Sequence, residues 1–388
     1  MNLIRITIAL FAVLSTTLLG GEPLKVYILV GQSNMQGTAH ISTARHMAAD
    51  PKTKALHDKL VEDAGKPRVY DNIRIAGFSQ ARGNKDTEKS GPLTFGYGAD
   101  LSRDEVCGPE LAFGITMHEI VKEPILIIKT SWGGKSLYND FRPPSADAFE
   151  GAKNPKSTGH YYRLMANHVK KVLADPGKYH PAYKKDDGYE IAGFVWFQGW
   201  NDMVNMGVYK NRYQPGGYDD YSKVLTMFIN DVRKEFKASK MPFVIGVLGV
   251  DGPTKLYASP MKRYKEMHQY YRDAMAAPAK RPEFKNNVKA VLTEDFWPHD
   301  VAAAETKAKE IGREAKEALK NEQKTKTKLK GRSAWQWEQD LAGKLREKKM
   351  TEEERLALTG MSNAQFHYFG CLKFFAQAGE AFAKAVAE

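Results

Sequence analysis

Five short apolar runs, each halted by a glycine or a polar turn, constrain this chain more than any other feature of its sequence. Lys25–Val30 stops at Gly31, and Pro124–Lys129 stops just ahead of the turn Trp132-Gly133-Gly134. Ile191–Phe197 stops at Gln198-Gly199; Pro242–Leu248 and Val288–Thr293 follow, the last running into Glu294-Asp295. Runs this short, rich in β-branched and aromatic residues and without alternation, belong to strands buried on both faces. Helical patterns lie between and after them. Glu110–Val121 sets Leu111, Ile115, His118 and Ile120 near one face. Tyr218–Phe236 carries Val224, Leu225, Phe228, Ile229, Val232 and Phe236, and Phe369–Ala387 shows Leu372, Phe375, Gly379, Phe382 and Val386 as a stripe. Buried strands alternating with amphipathic helices predict an α/β fold, a three-layer α/β/α sandwich around a five-stranded parallel sheet. In such sheets ligands bind beyond the carboxyl ends of the strands.

Two regions depart from that economy. Residues 40–105 are long, polar and without a clear strand, and a loop of that length points to a functional role. Residues 301–360 are rich in Lys, Glu and Ala and read as a charged helical insertion beside the sheet. Much of the net charge of +12 arises there, from Lys307 to Lys349, where many Glu are interspersed. That pattern is a solvated helix face. With no zinc-finger spacing or RNA-binding aromatic signature, nucleic acid is not expected as a partner. The first 21 residues, with Arg5 ahead of the apolar stretch Ile6–Leu19, read as a signal peptide too short to span a bilayer, so a secreted or periplasmic chain without stable membrane insertion is expected. Residues 22–388 then form the working domain. Cys107 and Cys371 both sit in apolar segments and are expected as buried free thiols.

The turns after the strands carry the chemistry. Gly31-Gln32-Ser33-Asn34-Met35 holds a serine on a tight turn, where its hydroxyl and its own N–H can face a cleft together, as a nucleophile and oxyanion hole require. A serine after a strand is equally a helix N-cap, so the neighbours decide. Gly133-Gly134 offers exposed backbone donors, Gln198 and Asn201 offer side-chain amides, and His367 precedes the last helix at the same sheet edge, where it can accept and return a proton. This is not the G-x-S-x-G elbow, because Met35 occupies the place of the second glycine.

The set resembles the SGNH hydrolases, and within them the sialate O-acetylesterase-like carbohydrate acetylesterases. Gly31–Met35 match that family's G-Q-S-N-M block completely, Gly108-Pro109-Glu110 is similar to its G-P-E, Gly133-Gly134 to its glycine block, and Trp196–Gly199 to its W-x-Q-G. The resemblance implies a flavodoxin-like fold and a serine esterase that removes O-acyl groups, chiefly O-acetyl, from an acetylated oligo- or polysaccharide without a cofactor. By that likeness Ser33 is the nucleophile and His367 the base. The N–H groups of Ser33 and of Gly133 or Gly134 form the oxyanion hole, joined by Gln198 or, on a broader G-x-N-D reading of Gly199–Asp202, by Asn201; Gln198 is slightly preferred. Gln32, Asn34 and Trp200 are expected to meet the substrate. Two positions depart from the family. Trp200 stands where W-x-Q-G-E has its glutamate, and Ala364 stands where D-x-x-H has its acid. The acid orienting His367 is therefore sought elsewhere, at Asp295 first and Asp202 second.

No metal is expected: His299 has no second ligand at a suitable spacing, and His118-Glu119 lacks the second histidine of a zincin helix. Two alternatives stand beside the esterase. The missing acid motivates a carbohydrate-binding protein that has lost catalysis on the same fold, and a wide apolar acyl pocket would mark an esterase for non-carbohydrate esters.

Overall fold

The computed structural model describes residues 21–388 apart from positions 64, 82, 84, 152, 153 and 325–332, so the expected signal peptide lies almost wholly outside the described residues. The chain forms a mixed α/β structure around a mostly parallel sheet of seven strands: β1 Leu24–Gly31, β2 Tyr70–Ala81, β3 Lys85–Leu93, β4 Ile125–Ser131, β5 Tyr189–Phe197, β6 Phe243–Val247 and β7 Val288–Leu292. Across the sheet the order is β3-β2-β4-β1-β5-β6-β7.

The expected five-stranded sheet is therefore corrected to seven. The five runs read from sequence are β4-β1-β5-β6-β7, all parallel, in the 2-1-3-4-5 order of doubly wound sheets. The two further strands come from the stretch expected to lack strands. β2 joins β4 in parallel, and β3 returns antiparallel to it as the edge. Their sequence hides them. β2 alternates Ile73 and Ile75 with Asn72 and Arg74, and β3, Lys-Asp-Thr-Glu-Lys-Ser-Gly-Pro-Leu, has the charge of a protected edge strand with no apolar run. Upstream, the same stretch folds into short helices at Ala44–Ala48 and Lys54–Leu60.

Helices cover both faces of the sheet. Successive residues of a strand point to opposite sides, and Trp196 and Phe197 of β5 show both. Trp196 meets Phe228 of the helix Asp219–Glu235 at 4.4 Å between ring centroids, whereas Phe197 meets Phe382 of the C-terminal helix Leu372–Ala387 at 5.4 Å. On the first face lie α2 His160–Ala174, α3 Asp219–Glu235 and α4 Lys265–Ala276, tied by Tyr162 against Phe228 and Tyr221 against Tyr271. On the second lie α1 Glu110–Val121, whose Phe113 packs on Tyr27, and the C-terminal helix. The latter crosses the start of α1 so closely that a Cβ at Gly379 would fall 2.2 Å from the carbonyl oxygen of Pro109.

The charged insertion is helical: α5 His299–Lys324, α6 Ala334–Lys349 and α7 Glu352–Leu358, with α8 the C-terminal helix already placed. Ala304, Ala308 and Ile311 of α5 form with Met350 a small core of their own, apart from the main one. Cys107 and Cys371 are buried free thiols. Among the described residues no helix is long and apolar enough to cross a membrane.

Candidate active site

Parallel strands β1, β4 and β5 end side by side, so the turns that follow them open at one edge, at the point where the chain's crossovers leave β1 in opposite directions. After β1 the chain enters a single helical turn, Ser33–Gln36. Ser33 is 8% exposed, and its Oγ lies 2.7 Å from Nε2 of His367, which arrives from the far end of the sequence.

The state of the imidazole follows from its other nitrogen. Nδ1 of His367 lies 2.8 Å from Oδ1 of Asn363, and that same oxygen accepts the backbone N–H of Ala364 at 2.9 Å. An atom that accepts from a backbone N–H is the carbonyl oxygen of the amide, so Nδ1 carries the proton and donates it to Asn363. Nε2 is left with its lone pair toward the Ser33 hydroxyl. Burial lowers the His367 pKa to about 4, so the ring is neutral at pH 7. Among the described residues no carboxylate hydrogen-bonds to His367. Asp295, the expected orienting acid, is exposed in the turn after β7, at the edge of the sheet three strands from β1, and the expectation is corrected in favour of Asn363.

The loop that carries His367 is held in an unusual backbone. Tyr368 and Phe369, both bulky, adopt left-handed conformations at φ 51° and 59°, followed by Gly370 at 68°. Surrounding contacts impose it. The Tyr368 hydroxyl accepts the N–H of Gly249, Ser362 N–H donates to the carbonyl of Phe369, and Thr38 Oγ1 donates to the carbonyl of His367. Thr38 lies two residues beyond the Ser33–Gln36 turn, so serine and histidine share an anchor.

Gly133 and Gly134 sit beyond β4, and Gly134 has φ +72°, a conformation that favours glycine. No acceptor among the described residues takes the N–H of Ser33, Gly133 or Gly134. Asn201 holds its side-chain nitrogen 4.0 Å from where a Gly134 Cβ would stand, while its Oδ1 accepts from Gln32 Nε2 at 3.0 Å. Gln198, the preferred amide from sequence, is fully buried and its nitrogen is spent on Gln32 Oε1, the carbonyl of Lys135 and Asp202 Oδ2. The geometry thus favours Asn201 over Gln198 as a third donor.

Gln32 and Asn34, expected to meet the substrate, are both buried, and Gln32 Nε2 donates to Ser33 Oγ at 3.4 Å. Gln32 is 1% exposed and braces the β5 turn through Gly199 N–H and Asn201; Asn34 is fully buried, with neither amide atom partnered. Trp200 is half-buried and stacks on Phe366, next to His367, with ring centroids 5.4 Å apart.

Asp202 orients no histidine. Its buried carboxylate takes four donors: the N–H groups of Leu137 and Tyr138, Gln198 Nε2 and the Tyr209 hydroxyl. Burial raises its pKa to about 6 in spite of those donors. It fastens the loop bearing Gly133 and Gly134 to the end of β5. Glu110 acts similarly from beneath: buried against Lys129 at 2.6 Å, it helps hold an ammonium that also donates to the carbonyls of Gln36 and Tyr97.

Sequence reasoning missed Asn363, which stands four residues before His367 and so outside the D-x-x-H spacing. It also missed the brace from β2 and β3: Gln36 donates to Ser79, Ser79 to the carbonyl of Ser131, and Trp132 to Asp86.

The model of a family described as carbohydrate esterase, sialic acid-specific acetylesterase, matches residues 23–298, a stretch that includes Ser33 and ends before His367. No curated protein matches the chain. Similar solved structures include a protein from Arabidopsis thaliana, at 17% identity over 70% of this chain and 86% of that one, with a TM-score of 0.39. XAC1771, a novel carbohydrate acetylesterase from Xanthomonas citri, is similar at 15% identity over 69% and 49%, with a TM-score of 0.38. NanS is similar at 14% identity over 70% and 78%, with a TM-score of 0.40.

Proposed function

The chain belongs to the sialic acid-specific acetylesterase family of carbohydrate esterases, and is thus a carboxylic ester hydrolase; on that premise we propose that it is an exported serine esterase that removes O-acetyl groups from a sugar, with Ser33, His367 and Asn363 as its catalytic set. The observation that carries the reading is the 2.7 Å contact between Ser33 Oγ and His367 Nε2, with Nδ1 held by Asn363. Residues 1–21 serve as the export signal and residues 22–388 as one esterase unit.

The reaction runs in two steps. Ser33 Oγ forms a bond to the ester carbonyl carbon as its proton passes to His367 Nε2, and the carbonyl electrons move onto oxygen. That oxyanion is stabilised by the N–H groups of Ser33 and of Gly133 or Gly134 and by the Asn201 amide. Collapse breaks the bond to the sugar oxygen, which takes the proton from His367 and leaves an acetyl ester on Ser33. Water then repeats the sequence, giving up a proton to His367 and releasing acetate. Asn363 keeps the proton on Nδ1 throughout, as an acid would, but adds no negative charge to stabilise the imidazolium.

Acetate release from O-acetylated sialic acid and acetylated xylan, with 4-nitrophenyl acetate alongside, tests the proposal on wild type and Ser33→Ala. Wild-type turnover that falls about a thousandfold or more in the variant is the expected result. A folded wild-type protein that binds these sugars but hydrolyses none of the esters would instead be a binding protein that has lost catalysis.

A further inference from the structure

A cavity of about 520 Å³ lies beside the His367 loop, walled by the segment after β6, the first turns of α5 and the loop itself. Asp251, Trp297, Thr306, Lys309, Gln365 and Phe369 are among its lining residues, the last two flanking His367 at two residues on either side. We infer that this cavity receives the sugar ring of the ester's alcohol part, with Asp251 accepting hydrogen bonds from ring hydroxyls while Trp297 and Phe369 supply an apolar wall. The inference rests on the esterase reading and names where the substrate's larger half goes.

Asp251 is built for presentation. It is a non-glycine residue in the left-handed region, at φ +69°. Its flanking carbonyls are clamped from below: Arg272 donates from Nη2 to Val250 O at 2.8 Å and from Nη1 to Gly252 O at 2.9 Å, and the Tyr257 hydroxyl donates to Val250 O at 3.1 Å. Arg272 is itself held by Glu294. A strained residue fixed by its surroundings at a cleft is a common mark of a functional position. The guanidinium is spent on backbone carbonyls and Glu294, and no donor among the described residues hydrogen-bonds to the Asp251 carboxyl. On the opposite wall Lys309 is paired with Glu305 at 2.5 Å, and the charge of Arg272 reaches Asp251 through space without a hydrogen bond to its carboxyl. Burial raises the Asp251 pKa to about 6, the signature of an under-hydrated carboxylate that gains from each hydroxyl brought to it. Aromatic rings beside a few fixed polar groups suit a small-ligand site, and a sugar ring offers both a C–H face and hydroxyl donors.

Two variants test this on O-acetylated sialic acid and 4-nitrophenyl acetate, the second having no sugar to place. Asp251→Asn keeps a residue that tolerates the left-handed backbone and removes only the charge. Thr306→Trp, from an exposed position on α5, fills the cavity without touching the clamp. Each is expected to lower kcat/KM for the sugar ester about tenfold, mostly through KM, as loss of a charged hydrogen bond does, while 4-nitrophenyl acetate stays within about twofold of wild type. Equal losses on both substrates, or no change on either, would overturn the inference. A wild-type protein that hydrolyses neither ester fails at the prior step, and the esterase reading falls with it.

Discussion

In the proposed mechanism His367 is the base, and its environment makes quantitative demands. With its pKa lowered to about 4 by burial, the imidazole stays neutral and able to accept a proton down to that value. The histidine base of the wild type is therefore expected to stay available down to about pH 4, with kcat/KM falling through that value, below any change near pH 6 from protonation of Asp202 or Asp251. Asn363→Asp places a carboxylate at Nδ1, favours the charged ring and moves that acid limb upward; a limb that stays where it was would show that Asn363 does not hold the histidine. Asn363→Ala removes the acceptor and with it the tautomer preference, and kcat is expected to fall between roughly ten- and a hundredfold with little change in KM. This residue marks a boundary of legibility. Ser33 stood out because G-Q-S-N-M follows a strand; Asn363 did not, since an amide four residues before a histidine carries no pattern. The D-x-x-H pattern calls for an acid and so points to Asp295, whereas a loop with left-handed Tyr368 and Phe369 cannot be foreseen from residue types.

At the scale of elements, the site is the sum of three turns brought into register by their strands. The turn after β4 is held to the turn after β5 chiefly through Asp202, whose carboxylate takes four donors. Asp202→Ala leaves two backbone N–H groups and the Tyr209 hydroxyl unpaired in a buried place. Thermal unfolding should show a loss of about 2–4 kcal/mol, and kcat should fall alike for every ester, because the glycine donors lose their support whatever the alcohol. An effect confined to sugar esters would show that Asp202 meets substrate instead. The apolar runs revealed β1, β4, β5 and β6, whose burial on both faces imprints itself on composition, and β7, an apolar edge strand that is only partly buried. β2 and β3 escaped because an edge hairpin has one solvated side and protects itself with charge. Their contribution, the Ser79 and Asp86 contacts that steady the Ser33 helix and Trp132, went unread with them.

For the whole molecule, the insertion α5–α7 is the part whose removal the fold should tolerate best. Its core of Ala304, Ala308, Ile311 and Met350 is separate from the main one, yet α5 walls the cavity beside His367. Ile311→Asp buries a charge in that small core and should loosen the insertion at a cost of roughly 3–4 kcal/mol to its own packing. Hydrolysis of 4-nitrophenyl acetate is expected to persist, with the sugar ester affected more strongly. Loss of both activities together with a single lowered unfolding transition would show that insertion and sheet form one cooperative unit.

Sequence alone carried the parallel order of five strands and marked the serine turn, the Gly133-Gly134 turn and the histidine as candidates, because each depends on short-range chemistry: apolar runs that must be buried, a turn that needs glycine, a motif that needs its neighbours. Tertiary structure decided which amide near Ser33 is left less committed, which residue accepts from His367 Nδ1, and that Asp251 lines a cavity. Those assignments depend on which of several chemically equivalent groups is already spent on a partner distant in the chain, as Gln198 is on Lys135 and Asp202, and Arg272 on the carbonyls around Asp251.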